Sequence, residues 1–495
     1  MDRPIVSNKS EALPKQLGAF YEDLEKLLLE EMRKQPKLLD VRLKLAELYY
    51  QMQRVDDYIL HARDTRELIK NPNESDEWRR IVSMGRMLRP SEALFNEFKS
   101  DAIEFVPTRL DEAVPAHSRI GDEARFKKPL QDLAAAYEEI RKDARFLAEL
   151  DIEMMQSAGH PSSLQPARRL SGHLGGAQIY FKRDDISGRM SHITGAIVGQ
   201  VLLAKRMGKK TLVAASGNGR SGVLIASVAA RLGLNTTIFM NADQMHLQKS
   251  NVFRMWLYGA NVQEIDPDRR AGTDIRKAAF DHWARHAEDT FLVMGLDAAP
   301  HPYPMMTLEF TSVVGRECRR QMFAIDKKAP DLLVARGGDN ADAIGFFPPF
   351  LQAANTRLVC VSPADSFDGV DLEASGPRNP NVYNPILQPL SMQEQKRAVQ
   401  ILEGMDFPRV VREHAWLKAT GRVEYVETTS SAAKKAISDL SRYEGIVPAI
   451  QTAYAVAWAC QAASSMKSDQ SVIVLLAENV EKNIWEIGKA LGVPL

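Results

Sequence analysis

Short β-rich runs alternate with helical patterns over most of the chain, and this alternation constrains the fold more than any other feature. The runs are KTLVAAS, TTIFMN, NVQEID, FLVMG, DLLVARG, RLVCVSP, RVEYVETT and SVIVLLAE, and most are followed by apolar residues at helical spacing. Strands that alternate with helices are typical of α/β proteins. We therefore predict parallel sheets covered by helices, with ligands at the carboxyl ends of the strands.

Length and charge narrow the class of protein. At 495 residues the chain is long for one domain, so two or three units are expected. Basic and acidic residues both number 64, and the zero net charge gives no overall bias toward nucleic acid or anionic membranes. No run of about eighteen apolar residues occurs, and MDRPIVSNKSEALPKQ lacks the apolar centre of a signal peptide. We expect a cytoplasmic protein with neither nucleic acid nor membrane among its partners.

The positions of the cysteines argue against a metal site or a disulfide framework. Cys318, Cys360 and Cys460 are far apart in sequence and form no CxxC or cysteine–histidine cluster. This spacing argues against a structural zinc site and fits a reducing compartment. We expect no metal.

Residues 18 to 105 have a different pattern, helical throughout. Within them LDVRLKLAELYYQMQRVDDYILHARDTRELI resembles one helical hairpin of the tetratricopeptide type. Such repeats normally stack, so a single copy is open to two interpretations: an appendage packed on the main body, or a module that binds a protein partner. The stretch VPAHSRIG marks the boundary. We expect an all-α region over 1–115 and an α/β domain over 116–495.

One long segment carries a family resemblance. Residues 180–210 read YFKRDDISGRMSHITGAIVGQVLLAKRMGKK and resemble the cofactor-anchoring segment of the tryptophan synthase β subunit. Framework motifs of that family also occur, namely PHPYP at 300–304, GRE at 315–317, NVFRM at 251–255 and EGIVPA at 444–449. The resemblance covers about residues 122 to 490. It implies two three-layer parallel-sheet subdomains with pyridoxal phosphate (PLP) between them, and a symmetric homodimer.

Ile193 stands where the resemblance places the lysine that forms a Schiff base with PLP. An isoleucine has no amine, so it can neither form that bond nor move the substrate α-proton. The preceding residue, His192, faces the cofactor phosphate in the family, and a helix N-terminus suits an anion. The alternative is a histidine without a ligand, whose side chain is satisfied by hydrogen bonds at the start of the helix.

The loop after the run KTLVAAS is the second candidate site. It reads ASGNGRSG, and the matching family loop holds the substrate carboxylate on converging backbone N–H groups. The residues suited to bind an anion are Ser216, Gly217, Asn218, Gly219 and Arg220. The family's catalytic glutamate corresponds to Ala215, and Arg220 replaces a glutamine. A purely structural turn from strand to helix is the alternative.

The third site matches the family's phosphate loop, Gly-Gly-Gly-Ser-Asn-Ala-Ile-Gly. The chain reads GDNADAIG over 338–345, so Gly338, Asp339 and Asn340 are candidate ligand-binding residues. Ala341 lacks the serine hydroxyl, while Asp339 and Asp342 are predicted to repel a dianion. Near the C-terminus, Ala477 replaces a serine that contacts the cofactor ring nitrogen in the family.

These substitutions favour one hypothesis over two others. The favoured hypothesis is a catalytically inactive tryptophan synthase β homologue with a binding or scaffolding role, no expected cofactor and a possible protein partner at the N-terminal helices. The second is an active PLP-dependent lyase that makes tryptophan from serine and indole, with Lys182 or Lys205 reaching the site. The third is a PLP-independent enzyme that uses His192, Arg220, Asp339 or Asp342 in the same cleft.

Overall fold

A computed structural model describes residues 13–95, 124–187, 191–265, 275–294, 302–337, 342–365, 421–477 and 484–492. By its contacts the chain divides into two compact units. The first unit combines Met1–Ser100 with Asp143–Ile152, and the second combines Asp101–Lys142 with Glu153–Leu495. The boundary predicted at 115/116 falls outside the described residues and stays a prediction.

The first unit is helical in all its described parts. Its helices are α1 (Leu13–Lys34), α2 (Leu39–Gln51), α3 (Val55–Arg66) and α4 (Asp76–Leu88), so the predicted helical hairpin corresponds to α2 and α3. Trp78, Tyr58 and Leu45 are completely buried in its core. The Ser75 hydroxyl caps α4 by accepting a hydrogen bond from the Trp78 backbone N–H at 3.1 Å.

A later segment of the chain completes this unit. Asp151 accepts hydrogen bonds from Arg79 Nε at 2.9 Å and Nη2 at 2.8 Å, and a third from the Ser83 hydroxyl at 2.9 Å. Ile152 belongs to the same apolar core as Trp78. A bidentate arginine–carboxylate pair and a shared core therefore attach residues 143–152 to the N-terminal helices.

The second unit alternates helices and strands. In chain order the elements from Ala124 onward are α5 (Ala124–Ile140), α6 (Ala144–Ala158, whose first turns belong to the first unit), β1 (Ser163–Pro166), α7 (Arg168–Leu174), β2 (Gln178–Arg183), α8 (Ser191–Arg206), β3 (Thr211–Ala215), α9 (Arg220–Leu232), β4 (Asn235–Asn241), α10 (Ala242–Leu247), α11 (Lys249–Leu257), β5 (Asn261–Ile265), α12 (Ile275–Arg285), β6 (Thr290–Leu292), α13 (Tyr303–Thr311), α14 (Val313–Asp326), β7 (Leu332–Arg336), α15 (Asp342–Phe346), β8 (Arg357–Pro363), β9 (Val423–Thr428), α16 (Ser430–Glu444), α17 (Ile450–Ser464), β10 (Ser471–Leu476) and α18 (Ile484–Ala490).

The strands form two sheets. One has the order β1-β2-β10-β7-β8-β9 and the other β5-β4-β3-β6. Among the described strands every pairing is parallel except β1 with β2, where Ser163 lies opposite Arg183. Helices cover both faces of the larger sheet, because alternate residues of its strands enter two separate apolar clusters. The predicted α/β class, with parallel-sheet subdomains after N-terminal helices, is confirmed.

Glycines let α8 lie very close to α13. A Cβ atom on Gly195 would lie 2.6 Å from the Phe310 carbonyl oxygen, and one on Gly199 would lie 2.2 Å from the Phe310 ring. Only residues without a side chain fit this contact. The first turn of α8, which contains Ile193, is therefore fixed by packing.

None of the described helices combines the length and the apolar character that crossing a bilayer requires. Across the same residues, no group of three or more His, Cys, Asp or Glu side chains is arranged to hold a metal ion. All three cysteines are free thiols, and Cys318 and Cys360 are buried.

Candidate functional site

The candidate residues lie at strand ends and helix starts. Ala215 ends β3 and Ala477 directly follows β10. Strands β7 and β10 are neighbours, with Val474 opposite Val334, so the ends of both strands lie at one edge of the larger sheet. This is the edge at which parallel α/β sheets bind ligands.

Ile193 lies in the first turn of α8 and is 6% exposed. Its neighbours Thr194 and Ala196 are also buried, so an aliphatic side chain is packed where the resemblance places an amine. The backbone of His192 belongs to the same turn, while its side chain lies outside the described part of the structure.

Lys182, one of the two lysines considered as replacements, is held in a buried network. Its Nζ donates to the Ser162 carbonyl at 2.6 Å, to Glu317 Oε2 at 3.0 Å and to Gln321 Oε1 at 3.0 Å. Glu317 also lies 3.0 Å from His160 Nδ1. Burial would raise the pKa of the Glu317 carboxyl, but His160 and Lys182 hold it well below its usual range. Lys182 therefore serves as the counter-ion of Glu317.

Lys205 is the other lysine, and it is exposed near the far end of α8. It follows Ile193 by twelve residues in the same helix, which corresponds to about 18 Å along the axis. This separation exceeds the reach of a lysine side chain. The lysine-dependent hypothesis therefore has no support from either residue.

The loop between β3 and α9 is organised by its own side chains. The Ser216 hydroxyl accepts from the Gly222 backbone N–H at 3.1 Å and lies 2.9 Å from the Ser221 hydroxyl. The Asn218 side chain accepts from the Arg220 backbone N–H at 3.2 Å. Gly219 has a φ of 77°, which favours glycine at the start of α9. These contacts fix the conformation of the loop over 216–222, and its role in binding a ligand stays a prediction.

This loop retains features that suit an anion. It opens the 13-residue helix α9, and a Cβ on Gly217 would meet nothing within 4 Å, so the space beside the loop is open. The Arg220 guanidinium forms no ion pair with any side chain in the described ranges. A helix N-terminus with a nearby cation attracts carboxylates and phosphates. Ala215 offers no acid or base here, since its side chain is a methyl group.

The structure corrects the expectation for Asp342. Rather than presenting an uncompensated carboxylate, Asp342 accepts a hydrogen bond from Arg336 Nε at 2.5 Å, and both side chains are buried. Arg336 Nη1 donates to Gln451 Oε1 in α17, also at 2.5 Å. The guanidinium neutralises Asp342, so the predicted repulsion of a dianion by this residue is wrong.

Sequence reasoning missed both Arg336 and Gln451. Arg336 lies two residues before the predicted phosphate loop, and a charged residue at the end of the apolar run LLVAR was a usable signal. Gln451 follows Arg336 by 115 residues, so only the fold brings it near. Gly338, Asp339, Asn340 and Ala341 lie outside the described residues.

Comparison with known proteins identifies the class. A sequence model of the family described as "Pyridoxal-phosphate dependent enzyme" matches residues 155–478. The chain belongs to this family of pyridoxal-phosphate-dependent enzymes.

One relative places the chain more closely. The tryptophan synthase beta chain of Allorhizobium ampelinum is 39% identical over 369 residues, which cover 74% of this chain and 91% of that protein. The chain is therefore tryptophan synthase β-like. Among solved structures, Escherichia coli diaminopropionate ammonia lyase in its apo form aligns with a TM-score of 0.44 and 15% identity, covering 69% of this chain and 90% of that chain.

The family match corrects the expectation about the cofactor. PLP is the cofactor of the family to which this chain belongs, so the expectation of no cofactor is wrong. The described residues nevertheless do not fit a covalently anchored PLP. Buried Ile193 supplies no amine in the first turn of α8, and buried Ala477 supplies no hydroxyl at the end of β10.

Proposed function

We propose that this chain is a catalytically inactive, tryptophan synthase β-like member of the PLP-dependent family that binds a small carboxylate. The observation that carries the proposal is Ile193, an aliphatic side chain packed in the first turn of α8. An enzyme of this class needs a nucleophilic amine to bind PLP covalently and to move the substrate α-proton. Neither Lys182 nor Lys205 replaces it.

Two further positions support inactivity. Ala215 stands at the position of the family's catalytic glutamate, and losing a general acid–base group typically costs about a hundredfold to ten-thousandfold in rate. The Ala477 side chain, a methyl group after the end of β10, provides no hydrogen-bond donor. Restoring one group would therefore leave the other two missing.

The binding role is supported by the loop before α9. Ser216, Asn218 and Gly219 keep its geometry through the hydrogen bonds described above, while catalytic groups are missing elsewhere. Arg220 adds a cation at the helix start. The loop retains a shape that suits an anion, while Ala215 at the end of β3 offers no acid or base. Such a site can bind a carboxylate without catalysing a reaction of the molecule that carries it.

The proposal includes the setting of the protein. We propose a homodimer, because the framework motifs of the resemblance are present, and a protein partner for the helical first unit. We also propose a cytoplasmic location, which the three free cysteines support.

The test combines a spectrum with an assay. PLP is titrated into purified protein, the sample is treated with borohydride, and tryptophan formation from serine and indole is measured. We expect no borohydride-fixed PLP and no turnover above a protein-free blank. A covalent PLP adduct with measurable tryptophan formation would overturn inactivity and favour the active lyase.

Carboxylate binding is tested separately by calorimetry with L-serine. The Arg220→Gln variant is expected to bind at least about tenfold more weakly, because a charge-assisted hydrogen bond contributes roughly 1.5–3 kcal/mol. Lys205→Gln, which removes an exposed cation near the far end of α8, serves as the control. If the wild type and Arg220→Gln bound L-serine with equal affinity, Arg220 would not contribute to carboxylate binding.

A further inference from the structure

Two histidines lie one helical turn apart at the end of α12. The sequence reads DHWARHAED over 281–289, so His282 and His286 are four residues apart, and residues at this spacing are neighbours on a helix surface. Their ring centroids are 4.7 Å apart, and the ring planes are inclined by 33°. His286 is exposed and His282 is half-buried. The two imidazoles therefore lie side by side where solvent reaches them.

A hydrogen bond fixes the proton on the His286 ring. Its Nδ1 lies 2.9 Å from the carbonyl oxygen of His282, which can only accept, so Nδ1 is the donor. In the neutral ring Nε2 then carries the lone pair. Histidines that bind metal ions usually donate their other ring N–H to a backbone carbonyl or a carboxylate. His286 therefore has the tautomer of a metal ligand that binds through Nε2.

His282 is held by packing, and its ring nitrogens stay available. Its ring contacts that of Phe239 in β4, at a centroid distance of 5.7 Å, and that of His286. Phe280 and Trp283 of the same helix are buried, so α12 is anchored to the second unit. Among the residues that the structure describes, none forms a hydrogen bond or an ion pair with the His282 ring or with His286 Nε2. Two imidazoles on a fixed helix can therefore share one ligand.

The charges near the two histidines have both signs. The charged neighbours in α12, in the turn that follows it and on that turn are Lys209, Lys277, Asp281, Arg285, Glu288 and Asp289. Local charge therefore does not select the ligand, and the donor atoms do. Neutral imidazole nitrogen suits Zn²⁺, Ni²⁺ and Cu²⁺, whereas Mg²⁺ and Ca²⁺ prefer oxygen.

We propose that His282 and His286 form a surface site for a divalent transition-metal ion, with water completing its coordination. Imidazole nitrogens lie about 2.0–2.1 Å from such an ion, so the two nitrogens would be roughly 3 Å apart. Rings whose centroids are 4.7 Å apart can reach this separation. The ion would also lie at the C-terminal end of the 11-residue helix α12, where the helix dipole favours a cation.

This inference differs from the expectation of no metal. That expectation rested on the positions of the cysteines, which take no part in this site. A site with two protein ligands also agrees with the lack of any group of three or more metal-binding side chains among the described residues. The inference stands independently of the proposed function, because it uses none of the candidate site residues.

The experiment is calorimetry on the full-length protein without an affinity tag, near neutral pH. Zn²⁺, Ni²⁺ and Cu²⁺ are titrated separately, and Mg²⁺ is the control metal. We expect one ion per chain at this site, tightest for Cu²⁺, and no binding of Mg²⁺. His282→Gln and His286→Gln should each weaken binding at least about tenfold, since losing even a group that orients a metal ligand typically costs about ten- to hundredfold in affinity.

Matched controls separate this site from other histidines and from effects on folding. His246→Gln removes an exposed histidine of α10 and should bind the ions like wild type. His282→Gln keeps the backbone carbonyl that accepts from His286, and thermal unfolding without metal checks that both site variants fold. Lack of binding by all three transition metals, or equal binding by wild type and both site variants, would overturn the proposal. Loss of binding in His246→Gln alone would assign the ion to a different site and overturn it as well.

Discussion

Arg336 and Asp342 form a buried ion pair that joins the last residue of β7 to the first residue of α15. Arg336 precedes the segment predicted as a phosphate loop, residues 338–345, and Asp342 belongs to that segment. Gln451 Oε1 accepts a further hydrogen bond from the same guanidinium, so a third element, α17, participates. A charged group at this strand end is therefore part of the internal structure of the protein.

Removing one partner of this pair should destabilise the protein strongly. Asp342→Asn leaves the buried Arg336 guanidinium without its carboxylate, and Arg336→Met leaves the buried Asp342 carboxylate without its guanidinium. We expect either single variant to lose about 3–5 kcal/mol in the free energy of unfolding. The double variant Arg336→Met/Asp342→Asn should lose less than the sum of the single variants. The measurement is urea unfolding. Arg357→Met, which breaks the exposed pair with Glu424, is the control and should cost no more than about 1 kcal/mol.

Ile193→Lys should not restore synthesis of tryptophan. Ala215 and Ala477 would still lack their functional groups, and a lysine buried at this position without a partner would cost a few kcal/mol of stability, typically about 1–3. Tryptophan formation from serine and indole is measured with PLP present, alongside thermal unfolding. Ile193→Met keeps the volume and should be nearly as stable as wild type. Clear turnover by Ile193→Lys would mean that one substitution alone inactivated this site.

Two glycine substitutions should change stability in opposite directions. Gly195→Ala places a Cβ against the backbone of Phe310, which cannot move without shifting α13, so we expect a loss of about 1–3 kcal/mol. Gly172 lies within α7, where an added Cβ would meet nothing within 4 Å, so Gly172→Ala should stabilise by up to about 1 kcal/mol. Chemical unfolding of both variants checks the pair. A neutral Gly195→Ala would contradict the close packing of α8 on α13.

The His160–Glu317 pair should make stability depend on pH. Burial alone would lower the pKa of His160, but the Glu317 carboxylate raises it overall. Because the pKa of His160 is higher in the folded protein than in the unfolded chain, protonation of His160 stabilises the folded state. This stabilisation is fully present below the unfolded pKa of about 6.5 and is lost as the pH rises through the folded-state pKa. Urea unfolding across neutral and mildly alkaline pH should therefore show a decline for wild type. The His160→Gln variant should lack this part of the decline. If the free energy of unfolding fell equally with pH in the variant and in the wild type, the role assigned to His160 would be contradicted.

Tyr137 should stabilise the contact between α5 and α13. Its hydroxyl donates a hydrogen bond to Glu309, whose carboxylate also lies 2.8 Å from Arg141 Nε. Tyr137→Phe leaves a buried carboxylate with one donor fewer, and the expected loss is about 1–3 kcal/mol. Tyr443→Phe removes an exposed hydroxyl bonded to His173 and should cost much less. Equal losses in the two variants would contradict a special role for Tyr137.

The sequence predicts local elements better than it predicts their partners. All eight β-rich runs are strands, because alternating apolar runs and helical patterns are local signals. Two strands lie outside these runs, β1, which contains a proline, and β2, and the pairing of these two strands is antiparallel. The repulsion of a dianion predicted for Asp342 is wrong, because the sequence did not show that Asp342 pairs with Arg336. Arg336 lies before the loop and, by its sequence pattern, belongs to a strand.

Asp151 and Ile152 also affect how the protein can be made and divided. The chain leaves the first unit, contributes residues 101–142 to the second, and returns to the first before the larger sheet begins. During synthesis the core of the N-terminal helices and the Arg79 ion pair can be completed only after Asp151 and Ile152 have left the ribosome. For the same reason, a fragment that ends after the N-terminal helices lacks part of its own unit. A complete first unit needs residues 143–152 joined to these helices by a linker.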